Sequence, residues 1–252
     1  MAQLRRLLPP PEATVTPGEA AAAAEFAAHA PDDRPYVVVN FVASVDGRAS
    51  FGGRSGALGD EADRELFHAL RGQVDAVLVG TGTLRAERYG RMIRDPERRA
   101  ARERAGLRPE PLAVVVSRSL HVPLDIPLFQ EPDSTVLIYT SSDAELEDAG
   151  ADVRLTRLDP AELTLTAALR LLRADHGVRS VLCEGGPTVF GALAHERVAD
   201  ELFLTLSPKL AGGSDPLTVL QGPAMPEPEE LTLVWVLEAG GALFLRYRLT
   251  LS

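Results

Sequence analysis

At 252 residues the chain is long enough for one large domain or two small ones, and its 45% hydrophobic content supplies a substantial core. A formal charge of −10 and a pI near 5.0 argue against nucleic-acid and anionic-membrane partners and leave small molecules as the expected ligands. The single cysteine, Cys183, excludes an intrachain disulfide and a thiolate zinc cluster and suits a reducing cytoplasm, and no apolar run is long enough to span a bilayer.

Residues 1–34 are rich in Pro and Ala, and Pro9, Pro10, Pro11 and Pro17 predict an irregular N-terminal arm with a short helix over Glu19–His29. Tyr36–Ala43 is almost uninterruptedly apolar, the pattern of a strand covered on both faces, with Asn40 as its one interior polar residue. It runs into Ser44-Val45-Asp46-Gly47 and a glycine-rich loop, Arg48–Gly59, able to bring backbone close to a ligand. Asp60 caps a helix to about Arg71, with Leu66, Phe67 and Leu70 facing the core. The buried strand Val74–Val79 then ends in Gly80-Thr81-Gly82-Thr83, which lacks the third glycine of the dinucleotide fingerprint but sits between a strand and a helix.

Arg85 to Arg104 holds eight arginines against four acids, a positive island in an acidic chain. Arg98–Arg104 reads best as a solvated helix laced by i,i+4 pairs, whereas Arg91 and Arg94, nearer the glycine turn, are candidates for a phosphate. Leu112–Val116, Thr135–Tyr139 and Val153–Leu155 are strands, and Ser141 to Asp143 predict the cap of a short helix before the last of them. Pro160 opens a helix to about Ala174, with Leu163, Ala167, Leu171 and Ala174 on one face.

The stretch Ser180–Gly191 organises the rest. Val181–Cys183 reads as a short buried strand that Gly185 and Gly186 leave at a turn, and Pro187 suits the first position of a helix whose free N–H groups attract anions. Glu184 is the turn's only carboxylate, so a phosphate cradle and a possible acid lie side by side at a strand's C-terminal end; an ordinary strand-turn-helix corner is the other reading. Glu201–Ser207 is a further strand, and Leu231–Leu237, the Gly240-Gly241 turn and Ala242–Thr250 form an antiparallel hairpin with Arg246 and Arg248 on its wet face and Leu245, Tyr247 and Leu249 on the other. Strands alternating with helices predict an α/β fold with a mainly parallel sheet flanked by helices.

Three motifs in this order, Pro35-Tyr36-Val37-Val38-Val39-Asn40-Phe41-Val42-Ala43-Ser44-Val45-Asp46-Gly47-Arg48, Val79-Gly80-Thr81-Gly82-Thr83 and Glu184-Gly185-Gly186-Pro187-Thr188, resemble the pyrimidine reductases of riboflavin biosynthesis, the RibD C-terminal-domain family with its dihydrofolate-reductase-like fold. The resemblance runs from about Pro35 to the C-terminus, so residues 35–252 are expected to be the reductase domain behind the arm. It implies NADPH-dependent reduction of a ribosylamino-pyrimidine 5′-phosphate, hydride reaching ribose C1 and the sugar opening to a ribityl chain, by a cytoplasmic homodimer. Carried over residue by residue, it places Gly185, Gly186, Pro187, Thr188, Val189, Phe190 and Gly191 at the NADPH phosphates, with Gly80, Thr81 and Thr83 opposite. Ala43, Ala57, Glu87 and Ser117 fall at other NADP positions. Asn40, Ser55, Arg71, Arg91 and Arg94 fall at or near substrate positions, and Glu184 falls where the family has an acidic residue at the substrate, handling the proton or orienting the sugar, with Asp46 as second candidate. Asp46 also reads as a turn-forming Asp-Gly, and Glu184 as a carboxylate satisfied by turn N–H groups.

The chain departs from the family's bacterial bifunctional members in having Asn40 where they commonly have Lys, and Glu87-Arg88-Tyr89-Gly90 where Asp-Asp-Pro follows the threonine turn. The zinc deaminase motifs fused to many of them are absent, which implies a stand-alone reductase. Two other readings stay open: a dihydrofolate-reductase-like enzyme for a pterin or another substrate, with Asp46 meeting a pterin amidine, and a nucleotide-binding protein without catalysis.

Overall fold

A run of apolar residues from Tyr36, interrupted only by Asn40, commits the chain to a strand sheathed on both faces, and in the computed structural model, which describes residues 1–214 and 217–249, that strand is Tyr36–Ser44. The strands in chain order are β1 (Leu4–Leu8), β2 (Ala13–Val15), β3 (Tyr36–Ser44), β4 (Ala76–Val79), β5 (Leu112–Val116), β6 (Thr135–Thr140), β7 (Asp152–Arg157), β8 (Ser180–Gly185), β9 (Glu201–Ser207), β10 (Leu231–Ala239) and β11 (Ala242–Leu249). The helices are α1 (Pro17–Ala22), α2 (Glu61–Gln73), α3 (Thr81–Glu87), α4 (Pro96–Arg104), α5 (Pro127–Gln130), α6 (Leu165–His176) and α7 (Pro187–His195). Two compact units result: residues 1–25, 37–70 and 187–252 in the first, 26–36 and 71–186 in the second.

In the second unit five parallel strands lie in the order β8-β4-β5-β6-β7, as alternating strands and helices predict. The stripe Leu165, Ala168, Leu169 and Leu172 of α6 packs on Leu78, Val114, Val116 and Val181. This is not the face expected from the sequence. Thr164, not Pro160, starts the helix by accepting from the Ala167 N–H at 3.0 Å, so Leu163 lies outside it and Ala174 turns outward. Helix α6 ends at Gly177, whose φ of 66° is the left-handed cap that glycine adopts without strain. The helix expected after Ser141 is absent: Thr140 and Ser142 side chains accept from the N–H groups of Ser142 and Ala144, a local bonding that competes with a helical turn. Cys183 is wholly buried on β8. Burial pushes its thiol up to about 12. The native protein should therefore show no thiol reactive toward a disulfide reagent at pH 8, and one per chain after denaturation.

In the first unit the order is β2-β1-β10-β11-β9-β3, antiparallel except for the parallel pair β3–β9. The antiparallel part exceeds the expected hairpin because the leading segment is not irregular: β1 pairs with β10 and with β2, and the prolines at 9–11 occupy the turn between β1 and β2. Helix α1 starts at Pro17 behind a capping box, the Thr16 N–H donating to Glu19 Oε2 at 2.7 Å and the Glu19 N–H to Thr16 Oγ1 at 3.2 Å. Gly240 and Gly241, with φ of 58° and 83°, make the tight turn of the β10–β11 hairpin; Thr250, the predicted end of β11, lies outside the described residues.

The hairpin's faces are also corrected. Arg246 is buried, and its guanidinium grips the fully buried Glu201 of β9 with Nε–Oε2 and Nη2–Oε1 both at 2.8 Å. It lies 5.5 Å from the centre of the Phe203 ring. Phe244 and Arg246 face inward, while Leu245 and Tyr247 are only half-buried. Phe41 of β3 meets Phe190 of α7 at 5.8 Å between ring centres, which seats α7 in this unit. No helix among the described residues is long and apolar enough to cross a membrane.

Candidate active site

A bulge sets the direction of the carboxylate at the end of β8. Leu78 of β4 pairs with Cys183 and Val79 with Gly185, so Glu184 is an extra residue in the ladder, and an extra residue re-aims its side chain. Gly185 follows with φ of 134°, and its carbonyl accepts from the Gly80 N–H at 3.1 Å. A Cβ on either Gly185 or Gly186 would lie 3.0 Å from Thr83 Oγ1, a tight contact that Thr83 would have to yield to, and the φ of Gly185 itself favours glycine. Gly80, Thr83, Gly185 and Gly186 are thereby brought together, and Thr81 begins α3 beside them in the chain.

Glu184 is buried and three donors converge on it, the pattern of an ionised carboxylate. Arg71 Nε reaches Oε1 at 2.5 Å, Arg71 Nη2 reaches Oε2 at 2.6 Å and the Tyr89 hydroxyl reaches Oε2 at 2.9 Å. The third guanidinium nitrogen of Arg71 donates to the Met92 carbonyl at 2.9 Å, and the guanidinium lies 5.4 Å from the centre of the Tyr89 ring. Burial pulls the Arg71 guanidinium down, but Glu184 beside it outweighs this and holds it above the usual arginine range. Burial first, and the Glu184 charge second, push the Tyr89 hydroxyl well above the usual tyrosine value, so it keeps its proton and donates.

Tyr89 is the residue sequence reasoning missed. It was visible only as a departure from Asp-Asp-Pro, and its approach depends on Arg88 closing α3 in the left-handed conformation, φ 48° and ψ 60°. Arg102 is the second surprise, since α4 was expected to be solvated throughout. The Arg102 side chain is buried and donates to the carbonyls of Arg71 and Val74, both at 2.8 Å, and of Arg108 at 2.9 Å. It places a cation at the C-terminal end of α2, where the helix dipole favours one, and fixes the backbone of Arg71. Burial brings the Arg102 guanidinium down to about 10.

The other arginines differ. Arg91 is ion-paired with Glu110 and, at 2.6 Å, with Asp133. Arg94 is exposed and has no carboxylate partner among the described residues. Glu87 ends α3, and Ser117, buried just past β5, donates its N–H to the Tyr139 carbonyl at 2.9 Å.

The first unit carries the remaining candidates. Asn40 is half-buried in β3 and Ala43 is buried near its end. Asp46 accepts from Ser44 Oγ at 2.5 Å, from the Ala211 N–H at 3.0 Å and from the Gly212 N–H at 2.7 Å. The Ser44 hydroxyl, then the two N–H groups, hold its carboxyl far below the usual aspartate value. Both its oxygens therefore serve to tie the 44–48 turn to residues 211–212. Ser55 is half-buried and Ala57 exposed on the glycine-rich loop. In α7, Pro187, Phe190 and Gly191 are buried, while Thr188 is exposed and Val189 half-buried. The Gln221 N–H donates to the Pro187 carbonyl at 3.1 Å, and the Gln221 carbonyl fills the space a side chain at Gly191 would need.

The chain has named relatives. A reductase of Archaeoglobus fulgidus named 2,5-diamino-6-ribosylamino-4(3H)-pyrimidinone 5′-phosphate reductase is 30% identical over 192 residues, 75% of this chain and 87% of that protein. A like-named protein of Methanothermobacter thermautotrophicus is 27% identical over 201 residues, 77% of this chain and 87% of its own length. The riboflavin biosynthesis protein RibD of Mycobacterium tuberculosis is 32% identical over 181 residues, but this chain spans only 44% of it. A pyrimidine reductase-like protein of Corynebacterium diphtheriae, 24% identical, superimposes with a TM-score of 0.73 over 93% of this chain and 99% of its own. A riboflavin biosynthesis reductase of Saccharomyces, 19% identical, gives 0.64 over 87% and 92%. These likenesses establish the dihydrofolate-reductase-like fold that the sequence motifs imply. Residues 35–243 match the family model for the RibD C-terminal domain; with that span, the three motifs in order and a 30% identical relative over most of its length, the chain belongs to the RibD C-terminal-domain family of reductases.

Proposed function

We propose that the protein is the NADPH-dependent reductase that converts the ribosyl group of a diaminopyrimidine ribosylamino 5′-phosphate to ribityl. The observation that carries this reading is the buried carboxylate Glu184, held by Arg71 and Tyr89 directly before a glycine turn packed closely on Thr83, in a chain whose relatives are named as reductases of such a phosphate. NADPH, when bound, supplies the hydride. The turn at 185–186, with Thr83 beside it, and the first N–H groups of α7 hold its phosphates, together with Thr81 at the start of α3. Hydride addition at ribose C1 breaks the bond from C1 to the ring oxygen, which takes a proton. Glu184, whose side chain has 0% exposure and whose oxygens already accept from Arg71 and Tyr89, acts through these two groups, fixing them where the sugar is oriented. Of Arg91 and Arg94, Arg94 takes the 5′-phosphate, because Arg91 holds Glu110 and Asp133.

The dihydrofolate reading would require Asp46 to meet a pterin amidine, and its oxygens are already committed to Ser44, Ala211 and Gly212. The active form is a cytoplasmic homodimer, with the exposed Leu8, Leu231 and Leu233 on β1 and β10 as apolar contact residues. NADPH oxidation by the purified chain, offered the ribosylamino pyrimidine phosphate and dihydrofolate in parallel, is expected to be faster with the pyrimidine. Faster oxidation with dihydrofolate overturns the substrate, and NADPH binding without turnover of either overturns the activity.

A further inference from the structure

Lysine occurs once in this chain, at position 209. An ammonium has three donors, and all three of Lys209's are used on successive backbone carbonyls: Ala57 and Leu58 at 2.9 Å and Gly59 at 3.3 Å. Ser207 Oγ adds a bond to the Leu58 carbonyl at 2.7 Å. Three consecutive carbonyls reach one cation only where the chain bends around it, so the ammonium and the backbone at 57–59 fix each other's position.

The same segment also holds the other end of the glycine-rich loop. The Lys209 carbonyl accepts from the Val45 N–H at 3.0 Å, the Ala211 and Gly212 N–H groups bind Asp46, and the Gly213 carbonyl accepts from Arg48. Within the loop the described backbone bonds are few: Phe51 and Arg54 exchange N–H···O bonds of 2.9 and 3.2 Å across Gly52 and Gly53, and the Leu58 N–H reaches the Ser55 carbonyl at 2.9 Å. Residues 207–213 therefore bond both ends of the loop, and at the 57–59 end the ammonium makes three of the four side-chain bonds described, Ser207 the fourth. Lys209 is exposed, so no core packing depends on it.

We propose that Lys209 is a positioning residue, which presets Ser55 and Ala57 for substrate and NADPH by fixing the backbone at 57–59. This rests on the function proposed above.

The test compares wild type, Lys209→Met and Lys209→Arg as full chains by hydrogen exchange of the 55–59 backbone without ligand, by steady-state kinetics and by thermal unfolding. Lys209→Met should speed exchange at 55–59 and raise KM for NADPH by about tenfold, with kcat changed by less than about threefold and Tm nearly constant. Lys209→Arg, which keeps a charged donor, should recover most of the KM. An unchanged KM with active enzyme overturns the proposal, as does a KM rise matched by a general loss of Tm. Should wild type not oxidise NADPH with the pyrimidine, it is the proposed function that fails; exchange at 55–59 still decides the clamp, and no change there overturns it.

Discussion

Glu184→Gln is expected to lower kcat/KM about 10²–10³-fold, because it removes the charge that three donors converge on and leaves the buried Arg71 guanidinium without its counter-ion. Arg71→Met should be as damaging for the converse reason. A buried carboxylate without a partner costs about 3–5 kcal/mol, so this variant loses stability as well as activity. The two contributions separate in the double variant Arg71→Met, Glu184→Met. Replacing both partners of a buried pair by apolar side chains is often close to neutral for stability, so Tm should return most of the way to wild type while turnover stays lost. Recovery of turnover in the double variant would show that the pair serves the fold and not the reaction. Tyr89→Phe belongs to the same series with a smaller effect, since it takes away one donor of three and keeps the ring beside Arg71.

The second large effect concerns stability. Arg246→Ala leaves Glu201, whose side chain has 0% exposure, with the longer contact to Arg248 at 3.8 Å in place of two bonds of 2.8 Å, and the expected loss is about 3–5 kcal/mol. With a urea m-value of about 2–3 kcal/mol/M, the unfolding midpoint should fall by roughly 1–2 M. A fall corresponding to less than about 1 kcal/mol would mean that the pair behaves like an exposed ion pair, which its geometry contradicts. NADPH binding by the folded variant should persist, because the described partners of the Arg246 side chain are Glu201 and the Phe203 ring, neither of them in the glycine turn or the loop at 55–59.

Local pattern determined much of this protein. The mostly apolar run of Tyr36–Ala43, the strand, glycine turn and proline-started helix at 180–195, Asp60 as a helix cap, and the Gly240-Gly241 turn all express short-range sterics and capping chemistry that neighbouring residues settle among themselves. The Thr16-Pro17-Gly18-Glu19 capping box was equally local, and reading it would have kept the leading segment from being taken as irregular. The three motifs also carried the family by resemblance, since their order and spacing together are specific where each alone is not.

The charged residues were a different matter. Arg71 and Glu184 are 113 positions apart, Tyr89 and Glu184 are 95 apart, and Glu201 and Arg246 are 45 apart. Nothing within a few residues of Arg246 distinguishes it from Arg248, yet one is buried and the other exposed, because only the first reaches Glu201 with two short bonds. Arg102 looks like its solvated helical neighbours until the end of α2 brings two free carbonyls to it. Arg91 carries the same charge as Arg94 but is taken by Glu110 and Asp133. An arginine's side chain is long enough to serve any of these ends, and burial is tolerable only where acceptors from distant segments meet it; which arginine finds them is decided by tertiary structure alone.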